Sequence, residues 1–83
     1  MNNALNQIEK SLEHYYNALR FAKEVDDQNG VAYIYGHIGD AKFMLQNYDM
    51  ALDFMYRAIE IHSERGDDFG LANSYIILGN IYL

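Results

Sequence analysis

Apolar residues recur every three or four positions along most of the chain, the spacing that places side chains on one face of an α-helix. One stripe contains Ile8, Leu12, Tyr15, Tyr16, Leu19, Phe21 and Ala22, and the next contains Val31, Ile34, Tyr35, Ile38, Ala41, Phe43 and Leu45. A third contains Ala51, Leu52, Met55, Ala58, Ile59 and His62, and a fourth runs from about Leu71 to the C-terminus. Proline, which breaks helices, is absent. The pattern predicts an all-α protein with helices at about 3–25, 29–45, 48–64 and 68–83.

Polar segments separate the predicted helices. Segments 26–30 and 65–70 combine glycine or asparagine, which end helices, with aspartate, which caps the start of the next helix. The acidic clusters at 24–27 and 67–68 are therefore interpreted as turns and helix N-termini. Segment 46–49 is a shorter turn, in which we expect Asn47 to take the left-handed conformation and Asp49 to lie near the start of a helix.

The chain repeats itself with a period of forty residues. Ten residues are identical to the residue forty positions later: Leu5, Leu12, Tyr16, Ala18, Glu24, Asp27, Gly30, Ala32, Tyr35 and Gly39. Other pairs are conservative, such as Leu19 with Ile59 and Ile38 with Leu78. Self-similarity at a fixed period is the signature of a repeat protein, in which one supersecondary unit stacks on the next.

Gly39 and Gly79 lie at the same phase inside two predicted helices. Glycine inside a helix costs about 1 kcal/mol relative to alanine, so a repeated one needs a structural reason. We expect a neighbouring helix to approach closely at both glycines and to fill the space of the missing side chain. Ala51 and Ala58, with Ala18 as the counterpart of Ala58, predict the same close packing from the facing helix.

These residues resemble the tetratricopeptide repeat family. The resemblance is carried by Tyr35-x-x-Ile38-Gly39, then Leu45-x-Asn47-Tyr48-x-x-Ala51-Leu52-x-x-Met55-x-x-Ala58-Ile59-x-Ile61, and Tyr75-x-x-Leu78-Gly79-x-x-Tyr82 begins another copy. The family implies antiparallel helix pairs, each with a first helix (A) and a second helix (B), stacked as a short right-handed α-solenoid. In these terms the four helices follow the order B-A-B-A, as one domain over residues 1–83.

The chain departs from the family pattern in three ways. Its period is forty residues, whereas thirty-four is commoner, which resembles an extended-helix subgroup found in signalling scaffolds, bacterial peptide-sensing regulators and sensor kinases. Lys42 stands where an aromatic residue is usual, with Phe43 beside it, and the usual helix-ending proline is missing. These departures weaken the assignment to a subfamily more than they weaken the assignment of the fold.

The resemblance implies that the A helices line a concave groove. The groove would take Tyr33, Gly36, His37, Asp40, Phe43 and Met44 from the first A helix, and Asn73, Ile76, Ile77, Asn80 and Leu83 from the second. Such a mixture of amides, aromatic rings and a His–Asp pair suits a bound peptide. The positions where some family members carry Lys or Arg to bind a C-terminal carboxylate hold Tyr33, Gly36, His37, Ile76 and Ile77, which disfavours that mode.

The last predicted helix is apolar around more than half of its circumference, whereas one neighbouring helix covers only one stripe. Its apolar residues are Tyr75, Ile76, Ile77, Leu78, Ile81, Tyr82 and Leu83. Solenoids normally end in a helix with a polar outer face. Either the chain forms a homodimer through this helix, or it is a piece of a longer array. Both accounts predict self-association through Tyr75, Ile76, Ile77, Ile81, Tyr82 and Leu83.

Charge and composition narrow the partners. The net charge is −6, and the six basic residues are scattered, so a nucleic-acid partner is not expected. The absence of cysteine excludes disulfides and thiolate metal sites. The longest uncharged run, Phe69–Leu83, is too short and too polar for a bilayer, and no signal peptide is expected at the N-terminus. We therefore expect a cytoplasmic protein without membrane contact.

Candidate chemistry is sparse. His37 and Asp40 lie one helical turn apart, but two ligands fall short of a stable zinc site, and His14 and His62 are expected on the surface. Ser11, Ser63 and Ser74 lack a nucleophile motif, so neither a cofactor nor catalysis is expected. The tyrosines at helical spacing are expected to fill the core and the groove: Tyr16, Tyr35, Tyr48, Tyr56, Tyr75 and Tyr82.

The sequence therefore predicts a module that binds protein or peptide, not an enzyme. The leading hypothesis is a scaffold that self-associates through its last helix. The alternative is a regulatory domain that binds a short signalling peptide in the groove through Tyr33, His37, Asn73 and Asn80.

Overall fold

The computed structural model describes residues 3–82 and contains four helices. They are α1 (Asn3–Glu24), α2 (Gln28–Met44), α3 (Tyr48–Arg65) and α4 (Asp68–Tyr82). Residues 3–82 contain no β-strand. The predicted all-α fold with four helices is confirmed, while Leu83 lies outside the described residues.

Connections of two or three residues make successive helices antiparallel neighbours. Helix α2 is central, because it contacts α1, α3 and α4, whereas α1 packs mainly on α2. The molecule measures 42 × 32 × 18 Å, so its shortest dimension fits two helix layers. This arrangement agrees with the predicted solenoid of stacked helix pairs.

The turns before α2 and α4 have the same hydrogen-bond arrangement. The Asp27 side chain accepts a hydrogen bond from the Gly30 amide at 3.0 Å, and Asp67 accepts one from the Gly70 amide at 3.0 Å. Each bond satisfies an amide in the first turn of a helix that would otherwise lack a partner. The interpretation of the acidic clusters as helix N-termini is confirmed at both aspartates.

The left-handed residue in the turn between α2 and α3 is Gln46, with φ 64°, and not Asn47 as predicted. Asn47 has φ −92° and is the residue that precedes α3. The Asn47 amide instead donates to the carbonyl of Lys42 at 2.8 Å, which closes the C-terminus of α2. This hydrogen bond requires a left-handed conformation at the residue before Asn47, which is Gln46, although glutamine seldom adopts it.

The close approach predicted at Gly39 is present. A Cβ added there would lie 2.6 Å from Cε of Met55 and 3.1 Å from the carbonyl oxygen of Ala51. Met55, Ala51 and Ala58 are all fully buried. Glycine is therefore required at position 39 because α3 occupies the space of its side chain.

The same prediction is wrong for Gly79 and Ala18. No neighbouring helix among the described residues comes within 4 Å of a Cβ added at Gly79, and Ala18 is exposed. The sequence positions are equivalent, but residues 3–82 supply no partner helix for these two faces. The repeat is complete only between α2 and α3.

Helices α2 and α4 share a sequence pattern but differ in burial. Helix α2 buries seven residues: Val31, Ala32, Tyr35, Gly36, Ile38, Gly39 and Ala41. Helix α4 buries only Gly70 and Ser74. Of the six tyrosines expected to fill core or groove, Tyr35 is a core residue at 8% exposed. The other five are not core residues, since Tyr16, Tyr48, Tyr56, Tyr75 and Tyr82 are 40% to 64% exposed. Tyr16 and Tyr75 lie on α1 and α4, the first and last helices of the stack.

Alanine at the two equivalent glycines is expected to have opposite effects on stability. Gly79→Ala should raise the free energy of unfolding by up to about 1 kcal/mol, because open space leaves only the gain in helix propensity. Gly39→Ala should lower it by about 1–3 kcal/mol through overpacking against Met55 and Ala51. Urea denaturation at protein concentrations that favour single chains measures both. Stabilisation by Gly39→Ala would contradict the packing described.

Candidate functional site

The predicted groove residues of α2 are divided between two environments. Tyr33 is 37% exposed, but its hydroxyl donates to Oδ2 of Asp67 at 3.1 Å, and its ring meets that of His62 edge-on at 4.8 Å. His37 is exposed and stacks on Tyr15 with the ring centroids 5.2 Å apart. Tyr33 thus faces α3 and the turn before α4, whereas His37 faces α1.

A cleft of about 350 Å³ lies between α1 and α2. Its α2 side includes His37, Asp40 and Met44, and its α1 side includes Ser11 and Tyr15. The structure therefore brings three predicted groove residues together, with α1 as the opposite wall. The sequence prediction had placed α4 there, because it considered only the A helices.

Two further groove assignments are corrected. Gly36 is buried, and a Cβ added there would contact Cε of Met55 at 3.7 Å, so this position faces α3 and not the groove. Phe43 is half-buried, with its ring 5.8 Å from that of Tyr48. Of the α4 residues, Asn73 and Asn80 are exposed and Ile77 is half-buried.

Helix α4 carries a continuous exposed face, which we call the open face of α4. It consists of Phe69, Ala72, Tyr75, Ile76 and Gly79. Phe69 is 86% exposed, Ile76 65% and Tyr75 56%. Their spacing of three and four residues places them on one side of the helix.

Among the other residues predicted for self-association, Ile77 and Ile81 are half-buried, Tyr82 is 64% exposed and Leu83 lies outside the described residues. The prediction missed Phe69, although the repeat contained a signal for it. Phe69 aligns with polar Asn29, forty residues earlier. An apolar residue at a position that is polar in the other copy points to a different environment.

Helix α1 and the residue after it carry a second exposed strip, the open face of α1, which the sequence analysis also missed. It consists of the exposed residues His14, Ala18, Phe21 and Val25, with half-buried Ser11 at one end. Phe21 is 64% exposed and Val25 55%. Phe21 had been assigned to the apolar stripe of α1, but the buried stripe runs through Leu12, Leu19 and Ala22.

His62 is buried, with 1% of its surface exposed, so the expectation of a surface histidine is wrong here. Its ring lies against the Gly70 backbone so closely that a side chain at Gly70 would overlap it. Its Nδ1 is 3.3 Å from Oδ2 of Asp67 but makes no hydrogen bond of good geometry to any described residue. His62 therefore helps to fix α4 on α3.

Asp67 collects several contacts at this junction. The Gly70 amide, which donates to Asp67, holds the pKa of this carboxyl below its ordinary value, and the Tyr33 hydroxyl and His62 act in the same direction. The hydrogen bond to Asp67 is also the main reason that the pKa of Tyr33 is raised. Within residues 3–82 no group of three or more metal-ligating side chains is found.

Removal of the Asp67 charge should change how stability depends on pH. Because the folded-state pKa is lowered, the carboxylate stabilises the fold above its unfolded-state pKa of about 4, and the contribution is lost as the pH falls through the folded-state pKa. We expect Asp67→Asn to be less stable than the parent at pH 7. The free energies of unfolding of the two proteins, measured by urea denaturation, should become equal as the pH falls below about 4.

Asp27→Asn is the matched control for this experiment. Asp27 makes the equivalent bond to a glycine amide, and Asp67 has contacts with Tyr33 and His62 in addition. A stability difference between the parent and Asp67→Asn that did not narrow in acid would contradict the assignment.

Comparison with known sequences supports the architecture. A family model described as tetratricopeptide repeat matches residues 1–64, which include α1, α2 and all of α3 except its last residue, Arg65. No curated protein and no solved structure matches the chain. None of the described helices combines the length and the apolar character needed to cross a bilayer.

Proposed function

The chain belongs to the tetratricopeptide repeat family, and we propose that it is a protein-interaction module that binds a second copy of itself through the open face of α4. The family is a scaffold fold without catalytic activity, so the proposal concerns binding alone. One observation carries it. Helix α4 has the sequence pattern of α2, but it leaves exposed several residues whose counterparts in α2 are buried.

The counterpart comparison is specific. Tyr35 is 8% exposed and its counterpart Tyr75 is 56% exposed. Ala32 and Gly39 are buried, whereas Ala72 and Gly79 are exposed. These positions face α3 when they belong to α2, and no described helix faces them when they belong to α4.

The energy at stake is large for a chain of this size. Burial of an isoleucine, phenylalanine or similar side chain contributes about 1.5–3 kcal/mol. The open face of α4 contains three large apolar side chains that are more than half exposed. Covering them would therefore contribute several kcal/mol, against a total stability of about 5–15 kcal/mol for a typical domain.

Sedimentation equilibrium at micromolar concentration tests the proposal. The parent protein should show a mean mass above the 9.6 kDa of one chain. Ile76→Glu should weaken association about tenfold or more, because the burial of Ile76 is replaced by the burial of a charge. A folded parent protein that stays at the mass of one chain would overturn the proposal.

Asn6→Glu is the matched control, since it adds the same charge at an exposed position on α1 away from the open face of α4. It should associate like the parent. Circular dichroism should show the same helix content in both variants, which separates loss of association from loss of folding.

The second candidate is recognition of a short peptide on the groove side. The exposure of His37, Asn73 and Asn80 and the cleft beside Asp40 favour it. Titration with short peptides, followed by the side-chain amide resonances of Asn73 and Asn80, tests this candidate. Chemical-shift changes at these two amides on addition of peptide support peptide binding. Changes that occur on dilution of the protein alone, and only at the open face of α4, support self-association without peptide binding.

A further inference from the structure

We infer that the open face of α4 binds the open face of α1 of a second copy, so that copies join head to tail and each junction forms one complete repeat. This inference rests on the proposed self-association and specifies its geometry. The junction between α2 and α3 inside the chain is the template for the contact.

In the template, α2 contributes an aromatic residue and a glycine, and α3 contributes a small–large–small series. Met55 of α3 reaches Gly39, flanked by the buried alanines Ala51 and Ala58. The ring of Tyr35 lies 5.8 Å from that of Phe54. Each of these residues is at least half covered within one chain.

Helices α4 and α1 carry the corresponding series in the same register, with Ile76 in place of Gly36. Forty residues after Tyr35 and Gly39, α4 has Tyr75 and Gly79. Forty residues before Ala51, Met55 and Ala58, the first helix has Ser11, Tyr15 and Ala18. Thus α4 is an A helix without its following B helix among residues 3–82, and α1 is a B helix without its preceding A helix.

At the edge of the proposed contact, both residues of a polar pair in the template are replaced by apolar residues. In the template, Nε of Arg65 donates to Oδ1 of Asn29 at 2.7 Å. The counterparts of these two residues are Val25 and Phe69, which are 55% and 86% exposed. The polar pair inside the chain therefore corresponds to an apolar pair between chains. Docking would remove both exposed apolar side chains from water, which favours association.

The cleft between α1 and α2 indicates where the docked helix lies. Its lining includes Ser11 and Tyr15, the counterparts of the residues that contact Gly39 in the template. The cleft is thus placed where Gly79 of a second copy would approach α1. Helix α3 begins at Tyr48, and the counterpart of Tyr48 in α1 is Ile8. Residues 3–7 of the docked α1 would therefore extend past the end of α4. They need not form a turn, because the two helices belong to different chains.

A two-fold contact of α4 with α4 fits the surface less well. It would leave Phe21 and Val25 of each copy exposed, whereas the head-to-tail contact covers both open faces. The head-to-tail contact joins two different surfaces, so it continues into a series of copies unless the series closes into a ring. We therefore expect the mean mass to rise with concentration beyond that of a dimer.

A complementation experiment with two blocked variants tests the geometry. Ala18→Arg blocks α1 and Gly79→Arg blocks α4, and both positions are open in the single chain. Each variant alone should sediment as one chain of 9.6 kDa at concentrations where the parent assembles. An equimolar mixture should form a dimer of twice that mass, because one intact α4 then meets one intact α1.

Asn17→Arg is the matched control for the α1 variant, because Asn17 is the counterpart of Arg57, an exposed arginine in the template. It should assemble like the parent. Assembly of either blocked variant alone, or a mixture that stays at the mass of one chain, overturns the head-to-tail geometry while the proposed self-association stands. A parent protein that is itself a folded single chain overturns both.

Discussion

The close approach of α3 to α2 at Gly39 is the constraint on which the rest of the structure depends. Met55 and the Ala51 carbonyl occupy the space of the missing side chain, so the two helices interlock at one register. Ile38 and Ala58 are fully buried beside this contact. Because the sequence repeats with a period of forty, each half of this contact occurs once more, one on α4 and the other on α1, while the contact itself is made once within residues 3–82.

The capping turns give the repeated sequence segments the same relative helix orientation. Asp27 and Asp67 start α2 and α4 in the same way, and Asp26 and Gly66 turn the chain through left-handed conformations at equivalent positions. Such turns fix the direction of each A helix against the preceding B helix. As a result α4 leaves α3 as α2 leaves α1, and its open face points to where the next B helix would stand.

The fold was predictable from the sequence, because apolar spacing, glycine phase and capping aspartates all indicate the same helices. The exposure of particular residues was less predictable. Tyr35 and Tyr75 are identical in type and phase, and only the number of neighbouring helices makes one buried and the other exposed. His62 is buried because the glycine at position 70 admits its ring, a contact that no local pattern reveals. The environments of Phe21 and Phe69 were not predicted, because no helix among residues 3–82 covers either side chain.

The central claim is that a second chain fills, at Gly79, the space that Met55 fills at Gly39. The chain has no cysteine, so one nitroxide label at Asn17→Cys is unique. Spin-labelled chains mixed with ¹⁵N-labelled chains then report contacts between copies alone. The account predicts broadening of the amide signals of Phe69–Gly79 on α4 of the ¹⁵N-labelled chain. Broadening confined to α1, or none at concentrations where the chain assembles, would contradict it.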